Sequence, residues 1–199
     1  MSTETVFSVL YTIIWPFFNL LYPVKAVGRE NIPEGPVVIC PNHSNASDPF
    51  YVVFAFGRKY PMWAMAKQEV MNWPVVGWIL GKAGVFGVDR GSADLKAAKT
   101  ALRCLKEGRK LLMFPEGTRV QEGESVEAKA GAALFATRTG CPLMPVYIPT
   151  RKKLFRANTV VIGEPYYPQI AGRKATNEEL QAIASDLMER VRQLGEGQQ

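Results

Sequence analysis

The chemistry available to this chain starts from its single histidine. His43 sits in PNHSNASD (41–48), just after the apolar run VVIC (37–40), with Asp48 five residues further on. Imidazole is the side chain whose ordinary titration lies near neutrality. A carboxylate held against one ring nitrogen would fix the tautomer and leave the other nitrogen as a base. Positions five apart point roughly 140° apart on a helix and to opposite faces of a strand, so this pair forms only in a turn. Pro41, Asn42, Asn45, Ser47 and Pro49 supply the residues for one. Two plainer readings fit the same stretch. Asp48 before Pro49 suits a helix N-cap followed by the first helical position, and His43 suits a hydrogen-bonded loop histidine. A cap does not exclude a pair, because a carboxylate has two oxygens. Cys40 suggests a Cys–His nucleophile, but it ends an apolar run and reads as core.

Those groups need elements to hold them. VVIC, MWAMA (62–66), GVFGV (84–88), KLLMF (110–114), LMPVYI (143–148) and NTVVIG (158–163) read as short strands. Helices are predicted from Asp48 to Phe56, around WPVVGWIL (73–80), and from a cap at Ser92 to Gly108. Two more are predicted over VEAKAGAALFATRT (126–139), stopped by Gly140, and from a capping box in TNEE (176–179) to about Leu194. The alternation predicts an α/β fold with a mixed, largely parallel central sheet covered by helices. Polar clusters follow four of these strands: PNHSNASD, KQE (67–69), DRGS (89–92) and PEGTR (115–119). Open α/β sheets bind ligands at the carboxyl ends of their strands. Parallel strands would therefore gather His43, Asp48, Lys67, Arg90, Glu116 and Arg119 in one cleft.

The totals narrow the partners. The chain has 199 residues, which fits one domain with a substantial core. Its 24 basic and 18 acidic residues give +6, favouring an anionic partner: a membrane surface, a phosphorylated substrate or nucleic acid. The basic residues are scattered and no nucleic-acid-binding signature appears, which sets nucleic acid last. Cys40, Cys104 and Cys141 are far apart and lie in apolar surroundings, as core thiols of a reducing compartment do. One histidine and no CxxC give no basis for a zinc site, and no carboxylate cluster points to Mg²⁺.

Residues 5–24, TVFSVLYTIIWPFFNLLYPV, carry no charge and would just span a bilayer. Pro16 at the centre, Pro23 at the end and the interspersed Ser8, Thr12 and Asn19 fit a membrane-interface helix or hairpin-like anchor better. A span and a helix packed on the protein's own core are the alternatives. No Lys or Arg precedes the apolar run and no small-residue cleavage site follows, which disfavours a signal peptide. Lys25 and Arg29 beyond it predict a globular part on the cytoplasmic face of the cell membrane, peripheral or monotopic. The expected division is an anchor over 1–24 and a catalytic domain over 25–199.

NHSNASD resembles the NHxxxxD motif of the glycerophospholipid acyltransferase family, whose best-known members are the 1-acylglycerol-3-phosphate acyltransferases. GVFGVDR (84–90) resembles the family's second block, FPEGTR (114–119) matches the third residue for residue, and LMPVYI resembles the proline-containing fourth. The four blocks stand in the family's order over about 40 to 150. The resemblance implies acyl transfer from a thioester, acyl-CoA or acyl-carrier protein, to the hydroxyl of a lysophospholipid, with no other cofactor. By that resemblance His43 is the general base and Asp48 orients it, while Lys67, Arg90 and Arg119 bind the acceptor's phosphate. Glu116, Gly117 and Thr118 would shape the acceptor pocket. Lys129 and Gly131 also resemble a family position, though a helix-surface lysine accounts equally well for the former. Phosphatidic acid is the implied product. Another acceptor (glycerol-3-phosphate or another lysolipid) and a non-catalytic protein binding anionic membranes are the alternatives.

Overall fold

The computed structural model describes residues 1–89, 94–120 and 126–197 of the chain. Its seven strands are β1 (Val24–Val27), β2 (Val38–Pro41), β3 (Met62–Lys67), β4 (Val85–Val88), β5 (Lys110–Leu112), β6 (Leu143–Tyr147) and β7 (Asn158–Ile162). The helices are α1 (Thr3–Leu21), α2 (Asp48–Phe56), α3 (Gln68–Met71), α4 (Pro74–Lys82), α5 (Leu95–Lys106), α6 (Gly131–Thr139) and α7 (Asn177–Glu196).

The strands form one sheet in the order β1-β7-β6-β2-β5-β3-β4, and every neighbouring pair is parallel except β6–β7. The exception follows from the connections. Parallel neighbours need a crossover, and α2 to α6 supply these between β2 and β6. The link from β6 to β7 contains no helix, so the chain turns back antiparallel. Strands β2, β3, β4, β5 and β6 therefore end at one edge of the sheet, and the β6–β7 loop lies at that same edge.

Alternation along the strands divides the core. Val37, Ile39, Leu112, Met144 and Val146 face one side with Tyr51, Val52 and Phe56 of α2. Val38, Cys40, Leu111 and Leu143 face the other, against Cys104 and Leu105 of α5, Phe135 of α6 and Leu187 of α7. Strand β2 is buried along its whole length, as a central strand covered on both faces should be.

Several local predictions need correction. The helix expected over 126–139 starts only at Gly131, because the Lys129 N–H donates to the Pro115 carbonyl (2.8 Å) and draws 126–130 onto another loop. Asp94 caps α5, accepting from the Ala97 N–H (2.9 Å); the predicted cap, Ser92, lies outside the described residues. The helix predicted around 73–80 is present as α4, from Pro74, and a short helix that was not predicted, α3, precedes it over Gln68–Met71. The capping box of Thr176 and Glu179 is present.

Helix α1 runs unbroken through Pro16, so no hairpin interrupts it. One face packs on the body: Phe7 is buried, and Phe18 lies edge-on to Tyr51 with ring centroids 5.1 Å apart. Tyr11 meets Phe54 in the same way at 5.3 Å. The other face leaves Ile13, Phe17 and Leu20 exposed, the last two at 70%. The helix is long and apolar enough to cross a membrane.

Candidate active site

Strand β2 delivers its last residue, Pro41, to the carboxyl edge, and the chain then turns sharply. Asn42 begins that turn by acting as an extra rung of the sheet. Its side-chain amide donates to the Ile148 carbonyl (2.9 Å), and its oxygen accepts from the Ile148 N–H (2.8 Å). The loop beyond is held from both sides by the loop after β5. The Glu116 carboxylate accepts from the His43 N–H (2.6 Å), and the Val120 N–H donates to the His43 carbonyl (2.8 Å). The imidazole stacks on Phe114, with ring centroids 4.1 Å apart.

In that frame His43 Nδ1 lies 3.0 Å from Asp48 Oδ2, the geometry in which a ring N–H donates to a carboxylate. The same oxygen accepts the backbone N–H groups of Ser44 and Asn45, both at 2.7 Å. Asp48 thus caps its own turn. It is the first residue of α2 rather than the N-cap, a position filled by Ser47. The other oxygen, Oδ1, meets the Lys152 ammonium at 2.5 Å. Asp48 is fully buried and His43 is 7% exposed. Burial alone would raise the Asp48 pKa. Hydrogen bonds from His43, Lys152 and the Asn45 backbone, with the lysine's charge, outweigh burial and hold it below the usual carboxylate range. Glu116 goes the other way: burial raises its pKa to about 7, the His43 N–H opposes this, and the Asp48 charge adds to it.

With Nδ1 turned to Asp48, Nε2 is the ring nitrogen able to take a proton from a hydroxyl. Cys40 is a poor nucleophile. It is buried, its thiol donates to the Val38 carbonyl (3.6 Å), and burial pushes its pKa well up.

The remaining predicted residues divide. Gly117 has φ +66, and a Cβ there would fall 2.8 Å from the Lys129 side chain. Glycine therefore serves both the left-handed backbone and the close approach of that lysine. Lys129 lies ahead of α6 rather than on its surface, and reaches the FPEGTR loop through both backbone and side chain. Thr118 and Arg119 are exposed, two residues and one residue short of Val120, which is bonded to His43. Glu116 ties the histidine loop rather than lining an open pocket. Lys67 ends β3, two strands from β2 and so roughly 10 Å across the sheet. It is 54% exposed and paired with Glu69 (2.8 Å). Arg90 lies outside the described residues.

Sequence reasoning gave Asn42 only a turn-forming part, without its bonds to Ile148, and gave Phe114 and Lys152 no part. The first two stand inside the quoted motifs beside residues that were assigned. Lys152 gives no such signal: in TRKKLFR (150–156) nothing separates it from its neighbours, and its partner is 104 residues away.

The family model described as Acyltransferase matches residues 23–149. The 1-acyl-sn-glycerol-3-phosphate acyltransferase of Pseudomonas aeruginosa is 34% identical over 131 residues, 64% of this chain and 49% of that protein. The Bacillus subtilis protein of the same name is 32% identical over 179 residues, 86% of this chain and 87% of that protein. This chain thus spans about half the length of the first relative and most of the second. The crystal structure of the 1-acyl-sn-glycerophosphate acyltransferase PlsC from Thermotoga maritima superposes with a TM-score of 0.68 at 25% identity, covering 98% of this chain and 78% of that one. The match runs from β1 through the histidine loop, the β5 loop and the end of β6, and on that ground the chain belongs to the acyltransferase family.

Proposed function

We propose that this protein transfers a fatty acyl group from acyl-CoA or acyl-carrier protein to the free hydroxyl of 1-acylglycerol-3-phosphate (lysophosphatidic acid), giving phosphatidic acid. The observation that carries this reading is the buried His43–Asp48 pair in a turn fixed by Glu116 and Val120. His43 Nε2 takes the hydroxyl proton as the oxygen attacks the thioester carbonyl. The C–S bond then breaks, and the departing thiolate takes the proton from the imidazolium. Asp48 balances the charge on the ring meanwhile. The thioester is already activated, so no serine or cysteine nucleophile is needed. Arg119 and Arg90 bind the acceptor's phosphate as planar donors, and Lys67 and Lys129 as point charges. Gly117 and Thr118 form the backbone beside it. A purified-protein assay with lysophosphatidic acid and acyl-CoA, following free thiol, tests the reading. Absence of thiol release with either donor overturns it, and faster turnover of glycerol-3-phosphate or another lysolipid moves it to that acceptor.

The acceptor and product reside in lipid, and the exposed face of α1 supplies the contact, on the cytoplasmic side where the thioester donor is found. Because the opposite face of α1 packs on Tyr51 and Phe54, deleting the helix would uncover the core. Point changes on the outer face are the cleaner test. Phe17→Ser is expected to weaken partitioning onto phosphatidylglycerol vesicles about tenfold, since burying such a side chain contributes about 1.5–3 kcal/mol. Unchanged sedimentation with the vesicles would place the lipid contact elsewhere.

A further inference from the structure

Lys152 lies in the β6–β7 loop, beyond all four sequence blocks, yet its ammonium pairs directly with the carboxylate of the dyad. It stands 2.5 Å from Asp48 Oδ1 and donates to Ser44 Oγ at 2.8 Å, with its side chain 8% exposed. Beneath it is the ring of Tyr51, whose centroid is 5.7 Å away. A lysine gives up hydration and rotamer freedom to reach such a place, so the contact is specified rather than incidental.

The loop around it is built to hold that position. Buried Asn158 accepts from the Lys153 N–H (2.7 Å) and donates to the carbonyls of Lys153 and Arg156, both at 2.9 Å. The Phe155 N–H donates to the Leu21 carbonyl at the end of α1 (2.7 Å). Phe155 has φ +55, a left-handed conformation that a bulky side chain adopts only when its surroundings impose it. Backbone on both sides of the loop thus fixes where Lys152 starts, and Asp48 and Ser44 fix where it ends.

We propose that Lys152 is a positioning residue for the transfer reaction, acting through Asp48. Its ammonium fixes the far carboxylate oxygen, so the near one faces His43, and it balances the buried negative charge. The inference rests on His43 acting as base. Without the lysine, the His43–Asp48 pair carries one uncompensated negative charge and binds a proton more tightly, whichever partner holds it. The base is then occupied by a proton at a pH where the intact site is free. Among the described residues, the other titratable groups facing the pair are Glu116, on the His43 N–H, and Tyr51, one turn into α2. Both stay in place in the variants, so a difference between profiles belongs to the lysine.

The test compares kcat–pH profiles of the full chain and its Lys152→Met and Lys152→Arg variants, with lysophosphatidic acid and acyl-CoA. Lys152→Met is expected to lower kcat about tenfold or more, the scale on which groups that orient a reacting side chain act. The acid limb should move to higher pH by about one unit or more, as losing an opposite charge at this range implies. Lys152→Arg retains the charge, so its acid limb should stay with the wild type. Should Lys152→Met not fold, Lys152→Gln, which still donates hydrogen bonds, carries the same comparison. An acid limb that stays put in the neutral variant overturns the proposal, as does a change confined to the acceptor's KM. If the unmodified chain releases no thiol, the acyl-transfer reading fails; if it does and the profiles coincide, only the role of Lys152 fails.

Discussion

The two halves of the site are built on opposite principles. At the dyad, His43 and Asp48 are buried, and ring, carboxylate and loop backbone all have partners in place. At the cation edge, Arg119 is exposed and Lys67 points into water beside another exposed side chain. Groups that must act on a reacting atom gain from being fixed beforehand, since no reorganisation remains at the moment of reaction. On the proposed function these exposed groups recognise a phosphate, and such groups can wait in solvent because a ligand would desolvate them on arrival.

The sharpest test of that contrast is removal of the base. His43→Ala is expected to lower kcat by ~10²–10⁴-fold with little change in acceptor KM and an unchanged circular dichroism spectrum. Near-normal turnover would show that the preorganised half is scaffold rather than machinery. A smaller effect is expected at the exposed half. Arg119→Lys keeps the charge but loses the planar fork, so it should raise the KM for lysophosphatidic acid several-fold with kcat nearly unchanged. A phosphate-free acceptor, poor with the wild type, should be no worse with the variant. Equal losses on both acceptors would make Arg119 structural and dissolve the contrast.

The smallest effect concerns pH and stability. Burial raises the Glu116 pKa to about 7, so the folded chain holds that proton more tightly than the unfolded one. Its contribution to stability is full below the unfolded value, about 4.3, and is lost as pH rises through about 7. Asp48, shifted the other way, contributes above its unfolded value and loses that contribution as pH falls through its lowered folded value. Glu116→Gln keeps an acceptor for the His43 N–H and removes the titration. Denaturant midpoints measured from pH 4.5 to 8 should fall less steeply for the variant than for the wild type. Parallel curves would mean that Glu116 is not protonated in the folded site near pH 7.

Much of this frame was legible in the residue pattern, for identifiable reasons. Short apolar runs bounded by turn residues placed β2 to β7, and Asp48-Pro49 marked the start of α2 correctly. The turn-forming residues of PNHSNASD were enough to infer that His43 and Asp48 could meet. What escaped depends on contacts distant in sequence. Strand β1 has only four residues, with a lysine among them, and is a strand because β7 lies beside it. Residues 126–130 have helical propensity, but Pro115 takes the Lys129 N–H. Asp48 looks like a helix cap locally, yet its oxygens serve Ser44, Asn45, His43 and Lys152 instead.

The ends of the sheet order also bear on how the protein survives at high concentration. An open sheet has two outer strands whose free N–H and C=O groups could recruit another chain. Here those strands, β1 and β4, are each only four residues long. In β1 an exposed lysine, Lys25, interrupts the apolar residues, and Pro23 just before the strand has no N–H to offer a neighbour. β4 has a glycine, Gly87, within it, and the Gln68 side chain of α3 lies against that glycine. Short, interrupted borders of this kind are poor templates for a further strand.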